Sequence, residues 1–183
     1  MNTFHDIPII KDLIDEVKVA ELLGSHIAFM RQNLLDNPCK EHVPLLIVQA
    51  IKLGSMKVEN IIMAIANMDE DRHESLQNLG DKFGKEYIPI VAVFFSEGWL
   101  KVVDPKDNGP FVPPSKSPDR KEVLMYTAMT IELKTIGSIY ETQRDADGNI
   151  QMGPLMNEGP DARVESALLR RFFVGALSNL RLQ

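Results

Sequence analysis

Apolar residues near the start of the chain return every three or four positions, which places them on one stripe of a helix. The stripe comprises Ile10, Leu13, Val17, Ala20, Leu23, Ile27, Met30 and Leu34. Asp6 can cap such a helix, and Pro8 suits its first turn. Pro38 marks its end, because the residue before a proline is disfavoured in the α region. The pattern predicts one amphipathic helical segment over about residues 8–35.

After this helical segment, the sequence contains short runs that are rich in branched side chains, which are typical of strands. Leu45–Ile51 ends at a turn around Gly54, and Val58–Asn67 follows as the second strand of a hairpin. Periodicity alone leaves a helix open for Val58–Asn67. Ile88–Phe95 is apolar at both alternating sets of positions, as in a strand that is buried on both faces. We therefore place it near the middle of the sheet.

The second half of the chain adds helices and strands to this pattern. Apolar stripes predict one helix that starts at Asp69 and ends at Gly84, and another that starts at Asp161. Alternation and the Asp-Gly hairpin signal at 147–148 predict three strands, Glu122–Glu132, Ile139–Gln143 and Asn149–Met152. The expected fold is α+β, with a single mostly antiparallel sheet covered by helices in the order α-β-β-α-β-β-β-β-α. With no visible linker, we expect one domain over residues 1–183.

A proline-rich loop separates the predicted central strand from its neighbour. Five of the eleven prolines fall between residues 104 and 118, without hydrophobic periodicity. Loops longer than about 12 residues are uncommon inside compact domains and usually form functional arms or disordered segments. The sheet edge from which this loop leaves is therefore a candidate location for a functional site.

Length and composition indicate the class of protein and the compartment to which the chain belongs. A chain of 183 residues with 44% hydrophobic and 25% charged residues is typical of a globular domain. Its longest apolar runs have eight residues, short of the ~18 needed to cross a bilayer. Met1–Asp15 lacks the basic and apolar regions of a secretory signal, and the single Cys39 fits a reducing compartment. We expect a cytoplasmic protein without membrane contact.

The net charge of −6 argues against nucleic-acid binding.

Established catalytic and metal motifs are missing from the sequence. The four histidines do not stand at zinc-ligand spacing, and phosphate-binding glycine loops are lacking. Residues 145–149 imitate the start of a calcium loop, but Ile150 stands where the loop needs glycine and Met156 where it needs glutamate. We therefore predict no metal and no cofactor.

One partial match to enzyme chemistry stays open as an alternative. Asp119, followed by Glu132 and Lys134, matches the carboxylate and lysine pattern of metal-dependent nucleases. That chemistry needs the two carboxylates close together. The residues between them contain no turn former, and an unbroken strand would hold them roughly 40 Å apart. A metal-dependent hydrolase or nuclease that uses these residues and Glu97 is thus the second hypothesis.

Two motifs in the middle of the chain resemble an uncharacterised group of bacterial, archaeal and phage proteins. Ser96-Glu97-Gly98-Trp99 ends the predicted central strand, and Pro118-Asp119-Arg120-Lys121-Glu122 leads into the next strand. The group shares a buried strand that ends in S-E-x-W, a variable loop and a P-D-R-x-E segment. The resemblance implies a prokaryotic or phage origin and supports the order of the strands. It transfers no activity.

The same two motifs define the candidate site. Because they flank neighbouring strands, the side chains that they carry are expected at one sheet edge: Glu97, Trp99, Asp119, Arg120 and Glu122. One interpretation is structural, with Glu97 paired to Arg120 and Trp99 stacked on its guanidinium. The other is a polar pocket with an aromatic wall. The function predicted first is small-ligand binding or protein interaction, and the sequence leaves open whether the protein is an enzyme.

The C-terminal helix carries a second apolar row, Leu169, Phe173 and Leu177, beside its first. A helix that is apolar over so much of its circumference buries more than one side. Either the N-terminal helix or a second copy of the chain would have to cover this row. A homodimer through helices is therefore one of two predictions left open.

Overall fold

The computed structural model describes residues 8–55, 57–65, 72–100, 116–156 and 166–178. Within them lie four helices, α1 Pro8–Leu13, α2 Glu16–Asp36, α3 Arg72–Phe83 and α4 Ala167–Ser178. The same ranges contain six strands, β1 Leu45–Lys52, β2 Val58–Ala64, β3 Tyr87–Leu100, β4 Lys121–Thr130, β5 Thr135–Arg144 and β6 Ile150–Leu155. The fold is α+β, with the strands in one antiparallel sheet and helices packed on it.

The sheet has the strand order β2-β1-β3-β4-β5-β6. The strand β3 pairs with β1 on one side, where Val93 lies opposite Ile47, and with β4 on the other, where Val93 lies opposite Ala128. Residues Ile88–Phe95 are buried, because both faces of this strand are covered. The predictions of a central β3, of β4 as its neighbour and of a β1–β2 hairpin are confirmed.

The single N-terminal helix predicted over residues 8–35 is wrong in one respect. The chain forms two helices, α1 and α2, with a break at Ile14 and Asp15. The Asp15 carboxylate accepts hydrogen bonds from the amides of Val17 at 3.1 Å and Lys18 at 3.3 Å, so it caps a new helix. A side chain that satisfies these amides favours a helix start over continuation of the preceding helix.

The boundaries of β4 and β5 also differ from the sequence prediction. The strand predicted to run to Glu132 ends at Thr130, and β5 begins at Thr135, four residues before the predicted Ile139. The tight turn between them contains Leu133 at φ 62°. A leucine rarely adopts this left-handed conformation, so the local sequence carried no turn signal. The predicted Asp147-Gly148 hairpin turn is present, with Gly148 at φ 82°.

Helices cover both faces of the sheet. Arg31 of α2 lies over the ring of Tyr140, 5.7 Å from its centroid, so α2 packs on the face that carries this tyrosine. Phe94, whose side chain lies on the opposite face of β3, lines a cleft together with Leu168, so α4 packs on that face. The helix α3 then packs on α4, with the Phe83 and Phe172 rings 5.4 Å apart. The core therefore lies on both sides of β3 and β4.

The second apolar row of α4 is buried within the chain itself. Leu169 and Phe173 have no exposed surface, and Leu177 packs against the core. The helix α3 packs closely on another side of α4, the one that carries Phe172 and Ala176. The row thus gives no reason for a second copy, and the homodimer stays a prediction without this support.

Several predicted features lie outside the described residues. They are Asp6, Asp69, Asp161 and the part of the proline-rich loop from 104 to 115. In the described ranges, none of the helices has the length and apolar character that a membrane crossing requires.

Candidate functional site

A cleft of about 820 Å³ opens where β3 extends beyond its neighbour β1. The first residue of β1, Leu45, lies opposite Phe95, so Ser96–Leu100 pair only with β4 among the described residues. We call this opening the β3-edge cleft. Its apolar wall contains Phe94, Met125 and Leu168, and its charged lining consists of Glu41, Arg72, Glu97, Glu122 and Arg144.

Strand register explains why the two sequence motifs meet in this cleft. Trp99 lies directly opposite Glu122, and Glu97 lies opposite Leu124. Opposite residues of an antiparallel pair share a face, as do residues two apart along one strand. Glu97, Trp99 and Glu122 therefore stand on one face at the end of the sheet. All three line the β3-edge cleft.

The other two predicted residues lie at the margin of this site. The Arg120 guanidinium sits 4.3 Å from the centroid of the Trp99 ring, so the predicted stacking contact is present. Trp99 nevertheless stays 42% exposed and keeps apolar surface available at the cleft. Asp119 is exposed in the turn before β4 and is not among the described residues that line the cleft.

Arg144 is a site residue that sequence reasoning missed. Its Nε donates to Glu122 Oε2 at 3.1 Å, and its Nη2 donates to the other carboxylate oxygen. Its Nη1 donates to the backbone carbonyls of Lys40 at 2.9 Å and Gly148 at 3.0 Å. Arg144 thus ties the segment before β1 and the β5–β6 turn to the sheet. The register of the β4–β5 hairpin could have revealed it, but the sequence misplaced that hairpin's turn.

Glu97 has a different environment from Glu122. Its carboxylate, for which the sequence predicted Arg120 as partner, accepts a hydrogen bond from the backbone amide of His42. Burial raises the pKa of Glu97, and the nearby charges of Glu122 and Glu41 raise it further, against the opposing effects of the His42 amide and Arg144. An added hydrogen-bond donor would therefore favour the ionised form of Glu97.

His42 lines one side of the cleft and is half-buried there. Burial lowers the pKa of its imidazole. Its ring packs edge-on against Phe95, with 4.4 Å between the ring centroids. The sequence offered no motif for this residue, since the contact depends on how the segment before β1 crosses the end of the sheet.

The residues of the nuclease hypothesis do not come together. Asp119 precedes β4 and Glu132 follows it, so ten strand residues, about 33 Å of extended chain, separate them. Lys134 pairs with Glu132 at 3.1 Å in the β4–β5 turn, at the end of β4 opposite to the cleft. Over the ranges that the structure describes, groups of three or more His, Cys, Asp or Glu residues placed to hold a metal ion are also lacking.

Comparison with known proteins adds no relative to this description. No protein-family model matches the chain, and neither the curated proteins nor the solved structures contain a significant match. The functional interpretation therefore rests on the geometry and chemistry of the β3-edge cleft.

Proposed function

We propose that the protein binds a small ligand in the β3-edge cleft, through a cationic hydrogen-bond donor that meets Glu97. The observation that carries this proposal is the contrast between the two glutamates. The carboxylate of Glu122 is held by Arg144, whereas that of Glu97 accepts one described hydrogen bond, from a backbone amide. An ammonium, amidinium or guanidinium group would supply the missing donors.

Charge in the cleft supports a cationic ligand. Arg144 is engaged by Glu122 and by two backbone carbonyls, so its positive charge is already matched. The charges of Glu41 and Glu122 disfavour the ionised form of Glu97. A cation beside Glu97 would reverse that effect and favour ionisation.

Shape favours a small molecule over a flat protein surface. Ligand pockets typically enclose about 300–1,000 Å³ and combine apolar walls with a few polar groups. The volume of about 820 Å³, the apolar wall and the half-exposed Trp99 fit this description. Protein interaction, the other form of the first hypothesis, would require the partner to insert a basic side chain into the same cleft.

A titration with simple probes tests the proposal. Benzamidine and phenethylamine supply a cation on an apolar ring, and phenylacetate supplies the matched anion. We expect the cations to shift the amide resonances of Ser96–Trp99 saturably, and phenylacetate to leave them unchanged. Glu97→Gln should weaken cation binding about tenfold, since it removes a charge-assisted hydrogen bond.

Glu141→Gln is the matched control, because Glu141 pairs with Lys121 and is not among the described residues that line the cleft. This control variant should bind the cations like the wild type. Failure of both cations to bind, or equal binding by Glu97→Gln, would contradict the proposal.

The metal-dependent alternative has its own test. Divalent ions that bind the native state raise the melting temperature by mass action. Because Glu97, Asp119 and Glu132 do not converge, we expect Mg²⁺, Mn²⁺ and Zn²⁺ to leave the melting temperature unchanged. A saturable rise that Glu97→Gln or Asp119→Asn abolishes would instead support the hydrolase or nuclease.

A further inference from the structure

The end of β3 that extends beyond β1 has backbone groups on the side where β1 would continue. The Pro44 carbonyl accepts a hydrogen bond from the Ile65 amide at 2.8 Å, so the backbone at Pro44 faces β2. Backbone groups of successive strand residues point to opposite sides, so Leu45 faces β3, where it pairs with Phe95. Phe95 in turn faces β1, and every second residue after it in β3 faces the same side. These residues are Glu97 and Trp99.

The amides and carbonyls of Glu97 and Trp99 have no backbone partner on this side among the described residues. The β3-edge cleft opens along the same side, since its lining includes Ser96–Trp99 from β3 together with Pro44 and Ile65 from the β1–β2 hairpin. A strand edge of this kind offers two amides and two carbonyls to another extended chain.

The segment before β1 leaves this edge open. The His42 amide donates to the Glu97 side chain, and the Lys40 carbonyl accepts from Arg144 of β5. The segment therefore crosses the end of the sheet toward β5 and does not run along β3.

Charge favours an occupant that carries a basic side chain. Besides Glu97, the carboxylates of Glu41 and Glu122 line the cleft, and the positive charge of Arg144 is matched by Glu122. A basic group that enters beside Glu97 would therefore meet complementary charge.

We infer that the β3-edge cleft binds a short extended peptide, which adds to the sheet as a strand beside β3 and places a Lys or Arg side chain opposite Glu97. The inference rests on the proposed function, because this basic side chain is the cation that meets Glu97, and it names the class of the ligand. Strand addition supplies main-chain hydrogen bonds for affinity and side-chain contacts for specificity. Each of the four open backbone groups would form one such bond.

The register of β3 sets the order of side chains in the peptide. In the antiparallel orientation that β1 has, the residue opposite Trp99 comes two positions before the residue opposite Glu97. Directly opposite residues share a face, so the first suits an apolar side chain against the Trp99 ring and the second suits a basic side chain. The residue between them points to the other face, toward the apolar wall that contains Phe94 and Met125. The expected pattern is apolar-apolar-basic.

The probe is the capped tripeptide acetyl-Leu-Leu-Lys-amide, titrated into the intact chain by calorimetry. It ends at the basic residue because Leu45 already lies opposite Phe95. Methylation of the lysine amide nitrogen removes a donor that would face β3, and it should weaken binding about tenfold. Methylation of the second leucine amide nitrogen, which would point away from β3, is the matched control and should leave the affinity within about twofold.

The contact between the cation and Glu97 is tested separately. Glu97→Gln, or glutamine in place of lysine in the tripeptide, should weaken binding about tenfold. The two changes together should weaken it no further, because they remove the same contact. Glu141→Gln should bind the tripeptide like the wild type.

Hydrogen exchange tests the open edge independently of affinity. In the free protein, the amides of Glu97 and Trp99 should exchange faster than those of Ser96 and Gly98, which face β4. Saturating tripeptide should slow exchange at Glu97 and Trp99. Slow exchange of these two amides in the free protein would show that the edge is already covered and would overturn the inference.

The outcomes separate this inference from the proposed function. Glu97-dependent binding of benzamidine and phenethylamine, together with equal affinity for the two methylated tripeptides, would overturn strand addition and leave the proposed function intact. Failure of the simple cations and the tripeptide alike would overturn both.

Discussion

At the scale of single residues, the end of the sheet shows how neighbouring carboxylates acquire different chemistry. Glu122 is held by the bidentate Arg144, as expected for a residue that fixes structure. Glu97 is half-buried and bonded to a single backbone amide, and its pKa is raised. The two glutamates differ because β5, which carries Arg144, pairs with β4 and not with β3. Arg144 therefore lies beside Glu122.

The raised pKa of Glu97 predicts a specific pH dependence. The folded protein holds the Glu97 proton more tightly than the unfolded chain does. The free energy of unfolding therefore falls as the pH rises from the ordinary pKa of 4.5 through the raised pKa. Glu97→Gln should not show this fall, and it keeps an oxygen that accepts from His42.

We expect the difference in the free energy of unfolding between the wild type and Glu97→Gln to change by no more than about 1 kcal/mol between the ordinary and the raised pKa of Glu97. The change is small because solvent partly screens the site. Urea denaturation from about pH 4 to about pH 8 measures it. A difference that stays constant with pH would indicate an ordinary pKa for Glu97.

Arg144 should matter for stability more than the exposed ion pair at the other end of β4. Arg144→Gln removes hydrogen bonds to Glu122, Lys40 and Gly148 together, so we expect a loss of about 1–2 kcal/mol in the free energy of unfolding. Lys134→Gln is the control, because its pair with Glu132 is exposed to solvent and should contribute nothing measurable. Equal effects of the two variants would argue against a structural role for Arg144.

At the scale of elements, α3 and α4 pack unusually closely because glycines line their contact. A Cβ atom added at Gly80 would lie 2.1 Å from the Phe172 carbonyl oxygen, and one at Gly175 would lie 2.0 Å from the Gln77 carbonyl oxygen. These oxygens belong to helix backbones, which cannot move aside as a flexible side chain can. Close approach of the two helices lets α3 cover the side of α4 that carries Phe172 and Ala176.

Alanine substitution separates this packing role from ordinary helix propensity. Gly80→Ala should lower the free energy of unfolding by about 3 kcal/mol or more, because the two helices must separate. Gly24→Ala, in the middle of α2 with no heavy atom near the added Cβ, should raise it by up to about 1 kcal/mol. Thermal and urea unfolding measure both effects. A neutral Gly80→Ala would show that α3 and α4 are farther apart than described.

At the scale of the whole molecule, helices on both faces of the sheet bury a core within a single chain. The fully buried residues include Tyr126 from β4 and Phe172 and Phe173 from α4. Because Leu169, Phe172 and Phe173 are buried within the chain, the apolar rows of α4 offer no surface to a second copy. Any self-association would have to use exposed residues such as Val174, which is 45% exposed on α4.

Two aspartate substitutions on α4 test this conclusion. Phe173→Asp places a charge in the core, so we expect loss of cooperative unfolding rather than dissociation of a folded dimer. Val174→Asp should fold with a melting temperature close to that of the wild type and leave the mass from light scattering unchanged. A folded, smaller species from Phe173→Asp would restore the homodimer prediction, and a smaller mass for Val174→Asp would place an interface on the exposed side of α4.

Part of this fold was readable from local patterns. The run Ile88–Phe95 specified a strand buried on both faces, and Asp147-Gly148 specified a hairpin turn, because each signal lies within a few adjacent residues. The break at Asp15 was missed because the apolar stripe continues across it. The turn at Leu133 was missed because a leucine in the left-handed region has no sequence signature.

The candidate site also combines residues that the sequence brought together with contacts that it did not predict. By itself, the sequence determined that Glu97, Trp99 and Glu122 would meet, since strand alternation and the order of two motifs sufficed. Only the tertiary structure decided that Arg144 binds Glu122, that His42 meets Glu97 and that α3 covers α4. These contacts join residues far apart in the chain, and their geometry depends on register, crossing segments and helix packing, which no local pattern encodes.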